Sequence, residues 1–152
     1  MSKIHIRGIG VTVDVDMSRF EEKLPKAQKA LDRQVLNDMI KYMPLDSGEL
    51  IRETININTA GSGKVYAFPP NSEYGHYQWE GYVYADPFTG KGAFYSDEYG
   101  FWSRPGVPKV KTDRKLEYSE NKPLAERHWN EVAIRNHRRE WAQVVKNAFK
   151  NA

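Results

Sequence analysis

The residue types that most often perform catalysis are scattered in this sequence. The four histidines, His5, His76, His128 and His137, stand far apart, and none forms the two-histidine helical pair of a zinc hydrolase. We interpret each as a surface or hydrogen-bonding residue. The chain has no cysteine, which excludes a disulfide framework, a thiolate nucleophile and a cysteine-ligated zinc ion.

Two other patterns imitate catalytic motifs incompletely. The run Gly61-Ser62-Gly63-Lys64 has the glycines and lysine of a phosphate-binding loop, but it lacks that loop's spacing, following Ser or Thr and helix, so a hairpin turn is expected. Adjacent carboxylates such as Asp97-Glu98 lie on polar segments, where solvated charges are the ordinary interpretation. The sequence therefore predicts a protein that is not an enzyme, with no catalytic residue, metal or cofactor.

A basic run follows an aromatic stretch in the second half of the chain. Aromatic rings interleaved with cations are typical of surfaces that bind nucleic acid. The candidates for contact with DNA are Arg104, Lys109, Lys111 and Arg114. The same cations could instead meet acidic protein surfaces or only keep one face soluble. The formal net charge of +3 is too small to separate these alternatives.

The composition indicates one domain, residues 1–152, because a chain of this length can bury a sizeable core. Hydrophobic residues make up only 39% of the chain, yet aromatic residues make up 12%. Tyr and Trp are favoured where proteins pack on each other, although a tyrosine-rich core would also use them. No signal peptide and no apolar run of membrane-spanning length is present, so we expect a soluble protein made in the cytosol, with no membrane partner.

Hydrophobic periodicity places the elements of the first half. Alternating apolar residues from Ile4 to Val15, interrupted by glycines, predict two short strand arms. An apolar stripe at helical spacing predicts a helix from about Pro25 to Met43. Pro25 either is its first residue or bends a helix that begins at Ser18. The stop at Pro44, Asp46, Ser47 and Gly48 is interpreted as a hinge that turns the helix into the sheet.

The following segments alternate between strand and helix signals. Residues 54–59 and 64–68, separated by a glycine-rich turn, predict a β-hairpin. Residues 71–81 predict a short helix closed by Gly81. From Asn121 an apolar series runs nearly to the end, and one helix or two helices with a break near Asn136 fit it equally well.

The stretch from Tyr82 to about residue 112 is the least regular and the richest in aromatic residues. A loop of this length inside a compact domain is normally functional, and its aromatic content argues against permanent disorder. We therefore predict a protein interface here. Its candidate residues are Tyr82, Tyr84, Phe88, Phe94, Tyr95 and Trp102.

Taken together, several short motifs resemble the minor capsid proteins encoded among the head-tail joining genes of tailed bacteriophages of Gram-positive hosts. The motifs are Ala27-Gln28-x-Ala30-Leu31-Asp32-x-Gln34-Val35-Leu36-x-Asp38, Tyr42-x-Pro44-Leu45-Asp46-Ser47-Gly48-x-Leu50, Gly61-x-Gly63 before a strand, Tyr74 to Gly81, Leu116-x-Tyr118-Ser119, His128-Trp129 and Trp141. The resemblance covers nearly the whole chain. The sequence departs from the family pattern at Pro69-Pro70, before the short helix.

This resemblance implies an α+β fold, in which an antiparallel sheet packs with an N-terminal and a C-terminal helix around a long irregular middle insertion. It also implies a structural virion protein at the head-tail junction. Its partners would be copies of itself in a ring, expected to be a hexamer, and the neighbouring neck, connector and tail-tube or tail-terminator proteins. DNA passing through the channel would be a further contact, and a basic nucleic-acid-binding protein is the alternative function.

Overall fold

Two 23-residue helices, α1 (Ser18–Ile40) and α4 (Trp129–Asn151), pack against each other at the centre of the fold. Their contacts pair Asp38 with Trp141 and Phe20 with Phe149, and just after α1 Tyr42 pairs with His137. As the residue number rises along α1 it falls along α4, so the two helices are antiparallel. The structure is a computed structural model that describes residues 3–8, 11–98 and 100–151.

Two shorter helices and six strands complete the described part of the chain. In chain order they are β1 (Lys3–Gly8), β2 (Val11–Asp16), α2 (Glu49–Ile57), α3 (Glu73–Glu80), β3 (Tyr82–Ala85), β4 (Phe94–Ser96), β5 (Gly100–Trp102) and β6 (Val110–Lys115). The fold is α+β, as the resemblance implied. None of the helices within residues 3–8, 11–98 and 100–151 is both long and apolar enough to cross a membrane.

The core lies where α1, α2 and α4 meet. Its fully buried members come from all three helices and from the segment after α1, and they are Met39, Met43, Leu50, Trp129, Ala133 and Trp141. Trp129 also donates a hydrogen bond from Nε1 to the carbonyl of Ala67 at 2.8 Å. This bond ties the irregular segment 59–68 to the core, since a buried indole N–H needs an acceptor.

The predicted hairpin over residues 54–59 and 64–68 is wrong. Residues 49–57 form α2, and no strand follows Gly63 before α3. Thr54 explains the difference: it is fully buried, and its hydroxyl donates to the carbonyl of Leu50, one helical turn earlier, at 2.7 Å. Burial of Leu50 and Thr54 on one helical face outweighs the strand preference of the β-branched residues.

The glycine-rich turn binds a carboxylate of its own chain. One oxygen of the buried Asp32 side chain accepts hydrogen bonds from the backbone N–H groups of Gly61 at 2.7 Å and Gly63 at 3.0 Å. Gln28 donates to the other oxygen at 2.7 Å. Both glycines have positive φ angles, so their N–H groups converge as they would around an anion. The segment is a turn, as expected, but it does not join two strands of a hairpin, and α1 supplies the anion.

The strands form three separate two-stranded antiparallel ladders over the described residues, and not the single sheet that was expected. β1 pairs with β2 from Lys3 opposite Asp16 to Gly8 opposite Val11, which confirms the predicted N-terminal arms. The residues between them, 9 and 10, lie outside the described part. β4 pairs with β5, and β3 pairs with β6. The segment from Tyr82 to residue 112 is therefore more regular than predicted.

The long helices agree with the sequence expectations at one end and differ at others. α1 begins at Ser18, as one of the two alternatives predicted, but it runs through Pro25 without interruption and ends at Ile40, not at Met43. The exposed first turns of α1 are held by α4: Lys23 donates to the carbonyl of Phe149 at 2.8 Å. α4 begins at Trp129, not at Asn121, and continues through Asn136 as one helix.

Candidate functional site

Helix α3 and strand β3 bring Tyr77 and Tyr84 into contact, and Tyr82 begins the strand. Ser72 caps the start of α3 by accepting a hydrogen bond from the N–H of Gly75, and the helix ends at Gly81, as predicted. Gly81 adopts φ +74°, and a Cβ there would lie 2.7 Å from the Cβ of Arg127. Only glycine meets both conditions without strain. The chain therefore turns directly from α3 into β3.

The rings of Tyr77 and Tyr84 stack across this turn. Their centroids are 4.3 Å apart and the planes are inclined by 22°. His76 packs edge-on against Tyr84 at 5.8 Å. Burial raises the pKa of Tyr77, with smaller contributions from Glu73 and Tyr84, so its phenol stays neutral at physiological pH.

Cations lie on the tyrosine rings. Tyr82 has the Lys111 ammonium 4.4 Å and the Arg127 guanidinium 4.9 Å from its ring centroid. Lys109 lies 6.0 Å from the ring centroid of Tyr77. We call the set Tyr77, Tyr82, Tyr84, Lys109, Lys111 and Arg127 the tyrosine–cation face. A cation within about 6 Å of a ring is attracted by the negative charge of the ring face.

The tyrosine–cation face carries positive charge that its own chain only partly neutralises. Lys111 forms an ion pair with Glu80 at 3.1 Å. The hydrogen bond that Lys111 donates to Glu80 within this ion pair is the main reason that the pKa of Glu80 is lowered. Over the described residues, Lys109 and Arg127 form no ion pair, and the Nε atom of Arg127 is buried without a hydrogen-bond partner. The face is therefore suited to an anionic group from outside the chain.

Two of the four predicted DNA-contacting cations are engaged in holding the chain itself. Arg104 donates two hydrogen bonds to the buried carboxylate of Asp86, at 2.7 and 2.8 Å. These bonds lower the pKa of Asp86. Arg114 donates to the carbonyl of Gly90 at 2.8 Å. Lys109 and Lys111 lie on the tyrosine–cation face instead. The four cations therefore do not form one free basic row.

The predicted interface residues separate into two groups. Tyr82 and Tyr84 are half-buried within the tyrosine–cation face, whereas Phe88 and Trp102 are 80% and 43% exposed. Phe94 and Tyr95 form most of β4, and their side chains lie outside the described part of the structure. Large exposed aromatic side chains are a common feature of interaction surfaces.

A cleft of about 440 Å³ opens beside the tyrosine–cation face. It lies between α3 and the segment that joins β5 to β6, and it is lined by Glu73, Tyr77, Ser103, Arg104, Gly106, Val107, Pro108 and Lys109. Its volume is within the range of about 300–1,000 Å³ that is usual for binding clefts. Glu73 is the one carboxylate on its lining.

The predicted hinge connects α1 to α2, and not a helix to a sheet. Pro44 is buried, Asp46 and Ser47 are exposed, and Gly48 precedes α2 with φ +79°. Nearby, burial raises the pKa of Tyr74, and the charges of Asp46 and Glu49 add to the effect. This side of the molecule is therefore acidic, in contrast to the tyrosine–cation face.

One group of potential metal ligands occurs within the described residues, formed by Asp38, His137 and Glu140. Their atoms are already paired within the protein. Asp38 accepts hydrogen bonds from the side chains of Lys41, Gln34 and Trp141. His137 bonds to Tyr42 through Nε2 at 2.9 Å and to Glu140 through Nδ1 at 2.8 Å. We interpret the group as a hydrogen-bond network between α1 and α4.

Sequence reasoning found part of the tyrosine–cation face and missed the rest. Tyr82, Tyr84, Lys109 and Lys111 were predicted, but for two separate roles. Tyr77 was assigned only to a helix, and Arg127 to the C-terminal helix, although it lies before α4 and covers Tyr82. The signal for Tyr77 was Gly81, since a glycine stop followed at once by a strand brings the last helical turn beside that strand.

No protein-family model, no curated protein and no solved structure matches this chain.

Proposed function

We propose that the chain is a structural virion protein of a tailed bacteriophage, which joins head and tail through protein-protein contacts at the head-tail junction. The observation that carries the proposal is the tyrosine–cation face, together with the exposed side chains of Phe88 and Trp102. Tyrosine, tryptophan and arginine are the residues that most often dominate binding energy at protein interfaces. The motif resemblance supplies the biological setting.

Electron microscopy of the virion neck tests this location. We expect density for the chain between head and tail, in a ring of identical subunits around the channel. Mass spectrometry of purified virions provides an independent measurement. Virions that assemble normally and contain no copy of the chain would refute the proposal.

Substitution of the aromatic residues tests whether contacts through this surface drive assembly. Tyr84→Ala and Trp102→Ala should each reduce virion yield, because truncating a hot-spot aromatic residue costs about 2 kcal/mol or more of binding free energy. Tyr66→Ala is the matched control, since Tyr66 is 44% exposed and lies outside the face. Unchanged assembly with both Tyr84 and Trp102 replaced would count against the proposal.

The second candidate function is nucleic-acid binding, which the stacked tyrosines and unpaired cations of the same face also favour. Bases stack on aromatic side chains, and cations neutralise phosphates. Such binding weakens steeply with salt, because each neutralised phosphate releases counterions. Titration of labelled DNA at several salt concentrations measures this slope. A flat or absent response would remove this candidate.

A further inference from the structure

The strands β4 (Phe94–Ser96) and β5 (Gly100–Trp102) form a small arm in which each strand pairs with the other. Phe94 pairs with Trp102 and Ser96 pairs with Gly100, and over the described elements the strongest contacts of either strand are with the other. A two-stranded hairpin is at best marginally stable in water unless another surface covers it. This arm is therefore suited to docking on a surface outside its own subunit.

The chemistry of the arm is acidic and aromatic. Its turn carries Asp97 and Glu98, both exposed. No lysine or arginine occurs from residue 94 to residue 102, and five of these nine residues are aromatic. Over the described residues, neither carboxylate forms an ion pair with a cation of its own subunit.

The tyrosine–cation face has the opposite charge and the same aromatic character. Among the residues that the structure describes, no carboxylate pairs with Lys109 or Arg127, and Lys109 also lines the adjacent cleft of about 440 Å³. Complementary charge between two surfaces steers their encounter and fixes their register. A carboxylate next to Lys109 would also pair with a cation that Tyr77 already positions.

We propose that the β4–β5 arm of one subunit docks onto the tyrosine–cation face of a second copy of the chain, with Asp97 and Glu98 beside Lys109. The proposal rests on the proposed function for the expectation that the chain assembles with itself. The arm and the face are different surfaces of one subunit, so the contact is heterologous. Repeated contacts of this kind close into a ring when the rotation between subunits permits it.

Charge reversal on the β4–β5 arm and on the tyrosine–cation face tests the contact in the full-length protein. Sedimentation velocity should show concentration-dependent association of the wild type. Lys109→Glu alone, and Asp97→Lys with Glu98→Lys, should each weaken association by about tenfold or more, because like charges then face each other. Lys26→Glu is the matched control, an exposed lysine on α1, and should associate like the wild type. Circular dichroism checks that each variant is folded.

Recombining the reversals separates a direct contact from a general charge effect. An equimolar mixture of the Lys109→Glu variant and the arm variant should associate again, since each arm then meets a face of opposite charge. The triple variant should also associate. Mixtures that remain monomeric while both variants are folded would overturn the proposal.

A disulfide cross-link provides a second measurement, and the absence of cysteine makes it unambiguous. A variant with Glu98→Cys and Lys109→Cys should form covalent oligomers on oxidation. A purely intramolecular disulfide, or a wild type that is monomeric at all concentrations, would overturn the docking. Either result leaves the virion location open to the microscopy described above, so the two proposals fail separately. Association of the face with DNA, and not with the arm, would likewise refute the docking.

Discussion

The carboxylate of Asp38 is a buried polar link between the two long helices, and its replacement by asparagine tests that link. The residue is 1% exposed. One oxygen accepts from Lys41 at 2.6 Å, and the other from Gln34 at 3.0 Å and from Trp141 Nε1 at 2.8 Å. Asparagine has a single acceptor oxygen, so its NH2 group must face one of these donors.

The loss in free energy of unfolding expected for Asp38→Asn follows from these contacts. Leaving a buried donor or acceptor without a partner costs about 1–3 kcal/mol. The Lys41 ion pair contributes at most about 1 kcal/mol, because the lysine is half exposed. We expect the free energy of unfolding to fall by about 2–3 kcal/mol, a large fraction of the usual total of roughly 5–15 kcal/mol.

Urea unfolding followed by tryptophan fluorescence and by circular dichroism measures this change, with coincident transitions as the test of two-state behaviour. Lys41→Met is the matched control; it removes the ion pair while keeping the apolar stem, and should cost no more than about 1 kcal/mol. An Asp38→Asn variant within about 0.5 kcal/mol of the wild type at neutral pH would refute the structural role assigned to the carboxylate.

The same carboxylate predicts a pH dependence. Burial would by itself raise the pKa of Asp38, but hydrogen bonds from Lys41, Gln34 and Trp141 outweigh burial and leave the pKa below its ordinary value of 3.8. A lowered pKa means that the unfolded chain takes up the proton first as pH falls. The contribution of Asp38 is therefore present above pH 3.8 and lost as pH falls through the folded pKa. The difference between the wild type and the Asp38→Asn variant should shrink over this window.

Four further substitutions have defined outcomes, each measurable by urea unfolding. Gly81→Ala should lower the free energy of unfolding by about 2 kcal/mol or more, because the alanine would have a positive φ and its Cβ would clash with Arg127. Gly90→Ala should cost only about 1 kcal/mol of backbone strain, since no atom lies within 4 Å of its Cβ position. Equal effects would contradict this account. Asp32→Ala should lower the free energy of unfolding by about 1–3 kcal/mol, because the N–H groups of the glycine-rich turn lose their acceptor. Proteolysis of this turn should also become faster. An unchanged cleavage rate would contradict the role assigned to Asp32. Burial raises the pKa of Tyr118 to about 12, so wild-type stability should fall as pH rises from the ordinary value of 10 through that pKa, and Tyr118→Phe should remove this loss.

The sequence predicted best where local signals agreed with burial. The apolar stripe of α1, the alternation of β1 and β2, and the capped α3 each needed only neighbouring residues to be recognised. For α3, Ser72 and Gly81 determine both ends through their own backbone and side-chain hydrogen bonds. The α+β class follows from these elements.

Only the tertiary structure decided the segments whose local signals were ambiguous. Residues 49–57 have the β-branched content of a strand, but burial of Thr54 under the core makes them a helix. The first turns of α1 continue through Pro25, and contacts with the end of α4 compensate for the lost hydrogen bond. Packing between distant segments decided these cases.

The tyrosine–cation face was likewise predictable from the sequence only in part. Residue types and the glycine at position 81 already indicated aromatic and basic character in this part of the chain. The stacking of Tyr77 on Tyr84 and the placement of Arg127 over Tyr82 required the α3–β3 turn and the segment before α4 to meet in space. Sequence determines which groups are present, whereas the tertiary contacts determine which cations are neutralised within the chain and which remain for a partner.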